Sequence, residues 1–228
     1  MLGVGTVKQL YFPDTNVLIT RFLTPHGVGE VEDFMPVAAP GSDRQRLIRR
    51  VLCVRGDMRF RIEVEPRFDY GRASHETVVH EHGVVFRTAA LSLSLASSVG
   101  LEPRNDGVYG EFTLAPGESA TFVLETAPDN GVPRPFTEDE TRRDFEETVA
   151  FWRRWLSQSR YKGRWRETVH RSALVLKLLT YQPTGAMVAA PTTSLPEQIG
   201  GGRNWDYLYT WIRYTAFSLY ALLRLVFK

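Results

Sequence analysis

An α+β architecture, an antiparallel β-sandwich followed by helices, is what this 228-residue sequence predicts. Three observations carry that expectation. Met58-Arg59-Phe60-Arg61-Ile62-Glu63-Val64-Glu65 alternates apolar and charged residues with period two, the pattern of a strand with one wet face. Turn-forming residues recur at short spacing through the first 130 residues, with no helical period between them. After Pro133 the period changes to that of an amphipathic helix.

Less regular strand-like runs occur at Asn16–Leu23, Arg46–Val54, Val84–Leu95, Val108–Leu114 and Ala120–Glu125. Pro13-Asp14, Pro25-His26-Gly27, Arg55-Gly56-Asp57, Glu81-His82-Gly83 and Ala115-Pro116-Gly117-Glu118 separate them with turn chemistry. These segments assign residues 1–132 to the sandwich. The loop 128–133 ends it, and Thr137-Glu138-Asp139-Glu140 opens a helix with a capping box and acids suited to the helix dipole. Phe145, Val149, Trp152 and Leu156 form its apolar stripe, so residues 133–160 read as a helical linker. The spacing predicts a second helix over Arg164–Tyr181 that buries Val169, Ala173, Leu176 and Leu179 or their neighbours. A last helix begins near Tyr209, with Ile212, Ala216, Leu219, Leu223 and Val226 on one side.

Composition narrows the function. Hydrophobic residues make up 43% and charged residues 24%, an ordinary soluble balance, and a net charge of +2 argues for neither nucleic acid nor membrane partners. Cys53 is the single cysteine, so an intrachain disulfide and a cysteine-rich metal site are excluded, and it reads as a small core residue. His75, His80 and His82 lie close together, but nothing completes a convergent set of metal ligands. Gly200-Gly201-Gly202 lacks the Lys-Ser/Thr sequel of a phosphate loop, so no cofactor is expected. Met1–Thr6 lacks a leader pattern and Ala216–Phe227 is too short to span a bilayer, which leaves the cytoplasm as the expected compartment.

The stretch Arg203–Arg213 is the richest in chemistry. It brings Trp, Tyr, Asp, Asn and Arg together, the mixture that holds a sugar ring through aromatic faces and forked hydrogen bonds. Glu197 and Asp206 are the one acid pair in this region, and glycoside hydrolysis needs two flanking carboxylates. The structural reading takes precedence: a buried, hydrogen-bonded Asp206, or one paired with Arg213, and Glu197 capping or ordering its loop. Trp205, Tyr209 and Trp211 also fit a purely structural core.

Ala189-Ala190-Pro191-Thr192-Thr193-Ser194-Leu195-Pro196-Glu197, then Gly200-Gly201, Arg203-Asn204-Trp205-Asp206-Tyr207, Tyr209 and Trp211-Ile212-Arg213, resembles the bacterial glucoamylase- and trehalase-like glycoside hydrolases of family fifteen. Glu32-Asp33-Phe34-Met35-Pro36, Arg67-Phe68-Asp69-Tyr70-Gly71 and Phe151-Trp152-Arg153-Arg154-Trp155 extend the resemblance over nearly the whole chain. It implies an (α/α)6 barrel of twelve helices, of which residues 161–228 would supply the first part. It also implies cleavage of α-glucosidic bonds with inversion by two glutamates. Tyr207, Trp211 and Arg213 match positions lining the terminal glucose subsite, so an α-glucoside or oligosaccharide is the implied partner of the complete enzyme. Two departures accompany the match. Tyr214 stands where the family carries an aspartate, and a phenol lacks that charge and its two acceptors. Both family glutamates match positions beyond Lys228, so the expectation is a chain truncated at both ends with no catalytic residue of its own. An incomplete barrel leaves Phe217, Leu219, Tyr220 and Leu223 as an apolar patch, making self-association through exposed helices a further expectation.

Overall fold

The computed structural model describes residues 5–37, 45–127, 131–191, 197–202, 204–205 and 207–227. They form an α+β protein with an N-terminal sandwich. Eight strands make one antiparallel sheet: β1 (Thr6–Tyr11), β2 (Leu18–Leu23), β3 (Val28–Phe34), β4 (Arg46–Arg55), β6 (Glu76–His80), β7 (Gly83–Arg87), β8 (Ser92–Ser97) and β11 (Ser119–Thr126). Their spatial order is β1-β2-β3-β4-β11-β8-β7-β6. A second sheet holds β5 (Met58–Val64), β10 (Gly107–Leu114) and β9 (Glu102–Arg104), in the order β5-β10-β9.

The alternation that predicted β5 is used as expected. Met58, Phe60, Ile62 and Val64 turn inward, while Arg59 pairs with Glu111 on the wet face. The inward residues pack with Val51, Cys53, Val84, Phe86, Leu95, Val108, Ala120 and Phe122, so the core lies between the two sheets. Cys53 is 2% exposed, the small core residue its setting implied. β11 carries apolar residues on both faces because both are covered. Ala120 and Phe122 face the second sheet, while Val123 joins Val17, Ile19, Phe34 and Ile48 in a separate cluster with Phe145 and Val149 of α1 (Glu138–Leu156). Phe145 meets Phe12 and Phe34 edge-on, with centroids 5.5 and 5.6 Å apart.

Local chemistry explains the boundaries. The capping box forms as the sequence implied: Glu140 N–H donates to the Thr137 hydroxyl at 3.2 Å, and Thr137 N–H donates to the Glu140 carboxylate at 2.9 Å. The run Val84–Leu95 is two strands rather than one. Thr88 makes the turn, its hydroxyl accepting from the N–H groups of Ala90 and Leu91. β1, β3, β6 and β9 were not apparent in the sequence. Gly56 has φ +67°, and a Cβ there would collide with the His26 carbonyl, which fixes glycine at the β4–β5 turn.

Two compact units partition the chain. The first contains Met1–Pro13 and Val17–Ala150, the second Asp14–Asn16 and Phe151–Lys228. In the second unit, α2 (Arg166–Leu178) and α3 (Ile212–Arg224) share a core of Trp152, Leu156, Ala173, Leu174 and Phe227. Trp155 stacks on Phe227 at 4.1 Å and 13°. Asn16 donates to the Leu174 carbonyl at 3.2 Å, and Arg171 donates to the Thr15 carbonyl at 2.6 Å, so Asp14–Asn16 is bound to α2. The buried face of α2 is His170, Ala173 and Leu174, one step round from the expected Val169–Leu176 stripe. The largest departure is α3. Of its expected stripe, Ile212, Ala216, Leu219 and Leu223 are exposed and Val226 is half-buried, and Leu222 and Leu225 are the leucines that reach the core. Among the described residues no helix is long and apolar enough to cross a membrane.

Candidate functional site

Asn204 organises the loop that leads into the aromatic segment. Its side-chain amide donates to the carbonyls of Gln198 at 3.0 Å and Gly201 at 3.1 Å, and its oxygen accepts from Gln198 N–H at 3.2 Å. Gly200, at φ +72°, turns the chain between them. The next stretch is tied to the connection after α2: Ala190 N–H donates to the Tyr207 carbonyl at 3.0 Å, and Ala189 N–H to that of Tyr209 at 3.3 Å.

This backbone brings Tyr207 and Trp211 together. Their rings stack with centroids 5.8 Å apart and planes 13° from parallel, and Tyr214 lies 5.9 Å beyond Trp211 at 44°. Trp211 is extended (φ −98°, ψ 119°) and immediately precedes α3, so it and Tyr214 straddle the first turn of that helix. Arg213 is exposed. Its guanidinium sits 4.9 Å from the Tyr214 ring centre and donates to the phenol oxygen at 3.1 Å. The Tyr207 hydroxyl donates to the Glu197 carboxylate, and that bond holds the phenol proton above its ordinary range.

The three residues singled out in the sequence thus gather within one short segment. Tyr207 and Trp211 stack directly, and Arg213 reaches them through Tyr214. Tyr214, noted in the sequence only as a departure, is an integral member of the cluster; its position three residues after Trp211 at a helix start was the available signal. Glu197 is engaged by a phenol. Asp206, its candidate partner acid and the alternative partner of Arg213, lies outside the described residues, as do Arg203 and residues 192–196. Trp205 and Tyr209, which also fitted a core, are 56% and 70% exposed. Stacked, partly exposed rings beside a guanidinium offer an apolar face and fixed donors, which suits a polyhydroxylated ring.

Residues 163–228 match the family described as Glycosyl hydrolases family 15. It is similar to a trehalase of Thermoplasma acidophilum, with 37% identity over 224 residues, 97% of this chain and 38% of the relative. It is likewise similar to a trehalase of Thermoplasma volcanium, at 37% over 226 residues, 97% of this chain and 36% of the relative. A trehalase of Mycobacterium tuberculosis shares 37% identity over 187 residues, 77% of this chain and 27% of its own length. The chain therefore spans little more than a third of the curated relatives that it matches over its whole length.

Proposed function

We propose that this chain is the sandwich-and-early-helix portion of an inverting glycoside hydrolase acting on α-glucosidic bonds, with trehalose or a related α-glucoside as substrate. The stacked Tyr207–Trp211 pair with Arg213 close by carries the reading. The aromatics form one wall for the terminal glucose, and Arg213 forks onto its hydroxyls. The similarity to trehalases supports the substrate class. In domain terms, residues 1–132 form the sandwich, 133–160 the linker, and 161–228 the opening of the helical barrel.

These 228 residues, assayed alone, release no glucose. Inverting hydrolysis needs an acid and a base on opposite sides of the bond. The resemblance assigns neither of the family's two glutamates to a residue of these 228, and the Glu197 carboxylate accepts a hydrogen bond from Tyr207. The test is glucose release from trehalose, maltose and starch by the purified chain. Turnover well above a buffer blank, abolished by Glu197→Gln, overturns the proposal. A half-built subsite also predicts that maltose titration gives no measurable heat.

A second reading, a non-catalytic module that associates with its own kind through the helices, is favoured by the apolar face of α3. Ile212 and Leu223 on one side of it, and Phe217 on another, are each more than two-thirds exposed. Light scattering of wild type against Phe217→Ser distinguishes it.

A further inference from the structure

The turn that follows Glu197 has no apolar anchor of its own. Residues 197–200 are exposed, and Ile199, the large apolar side chain among them, is 92% exposed. What closes the turn is polar. Gly201 N–H donates to the Gln198 carbonyl at 3.0 Å, and the Asn204 amide engages both backbone groups of Gln198 and the Gly201 carbonyl. One donor and two acceptors face this amide, so a single orientation of it satisfies all three.

Gln198 is the residue next to Glu197. Its N–H belongs to the planar peptide unit that begins at the Glu197 Cα, so fixing that unit fixes the point from which the Glu197 side chain departs. Tyr207 has a separate backbone mooring, because its carbonyl accepts from Ala190 N–H at 3.0 Å. The hydrogen bond from the Tyr207 hydroxyl to the Glu197 carboxylate joins the two moored segments.

We propose that Asn204 is a positioning residue of this site: it holds Glu197 where its carboxylate takes the hydrogen bond from Tyr207. Resting on the reading of Tyr207 and Trp211 as one wall of the glucose subsite, this assignment also states what the phenol offers there. A phenol carries a single donor proton. With that proton committed to Glu197, Tyr207 meets a sugar hydroxyl as an acceptor, and donation is left to Arg213.

The test is the ultraviolet difference titration of the Tyr207 phenol in the 228-residue chain, with no sugar present. Each variant is compared with its own Tyr207→Phe counterpart, which separates this phenol from the other tyrosines. The Glu197 contact holds the parent phenol protonated above its ordinary value of 10.0. Asn204→Ala removes the three side-chain bonds of the turn and is expected to bring the titration down by most of the shift that Glu197→Gln produces. In the double variant the two changes are expected not to add, since both remove the same contact. Asn204 is exposed, so Asn204→Ala is expected to keep the far-ultraviolet circular dichroism of the parent. A phenol that titrates in Asn204→Ala as in the parent overturns the proposal. So does a double variant that falls further than Glu197→Gln alone, or a parent phenol that already titrates at the ordinary value. The titration uses no sugar, so its failure and that of the glucose-release prediction are read separately.

Discussion

The salt bridge between Arg50 and Glu32 offers the sharpest test of the energetics of the first unit. Both residues are buried, at 7% and 8% exposure, and join at 2.8 Å from Nη1 to Oε2. The guanidinium lies 5.6 Å from the Phe145 ring centre, and its Nε is buried with no partner among the described residues. Burial pushes the Glu32 carboxyl above its ordinary value of 4.5 even with Arg50 lowering it, and Glu30 adds to the rise. Desolvation therefore outweighs attraction, and the pair itself stabilises the fold little. Removing one member is a different matter. Arg50→Met keeps the stem volume and leaves Glu32 buried without its cation, which costs about 3–5 kcal/mol at neutral pH. Replacing both, Glu32→Leu with Arg50→Met, removes both desolvation penalties and is expected to change stability by less than about 1 kcal/mol or to raise it. The pH sign follows from the raised folded pKa. Glu32's favourable contribution is fully present below 4.5 and is lost as pH rises through its folded value. The Arg50→Met penalty should therefore shrink on acidification toward pH 4.5, as the lone carboxyl takes up a proton. Urea unfolding followed by far-ultraviolet circular dichroism, at neutral and acid pH, measures Glu32→Leu, Arg50→Met and the double variant. A double variant as unstable as the sum of the singles, or an Arg50→Met penalty that grows on acidification, refutes the reasoning.

Two further outcomes follow from local geometry. Thr137→Ala removes the hydroxyl acceptor of the capping box and is expected to cost about 1 kcal/mol in urea unfolding, with Thr137→Ser nearly neutral. The Tyr207 phenol is held protonated by Glu197, so its ionisation, read as the ultraviolet difference titration between wild type and Tyr207→Phe, should begin above the ordinary tyrosine value of 10.0 and fall back in Glu197→Gln. Its stabilising contribution is present below 10.0 and is lost as pH rises through the folded value.

The parts of the fold legible in the sequence were those where one physical demand acts on one stretch of chain. β5 alternates because one of its faces is wet, and Thr137–Glu140 caps because both partners lie within a single turn. β1 and β3 escaped notice for the opposite reason. β1 buries neither face, so no alternation is imposed on Thr6–Tyr11. β3 places Glu30, Glu32 and Asp33 against Arg21, Arg50 and Arg49, so charge pairing across strands replaces the apolar signal. In α3 the stripe itself was real, but a stripe states only which residues could be buried together. Leu222, Leu225 and Phe227 are the residues that reach the core of the second unit, and the Ile212–Leu223 face is left open.

The same distinction governs the candidate site. Composition brought the stretch Arg203–Arg213 forward, because few segments concentrate aromatic faces and guanidinium groups so tightly, and the family resemblance singled out Tyr207, Trp211 and Arg213 within it. Composition does not encode which polar group orients which ring. Glu197 lies ten residues before Tyr207 and reads in sequence as a candidate acid, yet its carboxylate accepts a hydrogen bond from the phenol, whose ring stacks on Trp211. Tyr214 reads as the loss of a carboxylate, yet its ring holds the Arg213 guanidinium on the aromatic side. An arginine so held presents fewer free donors to a sugar than one facing a carboxylate, whose charge would leave its fork aligned and its outer N–H groups available. Tyr214→Asp removes both the ring and the phenol oxygen that engage Arg213, and is expected to release the guanidinium from the aromatic side.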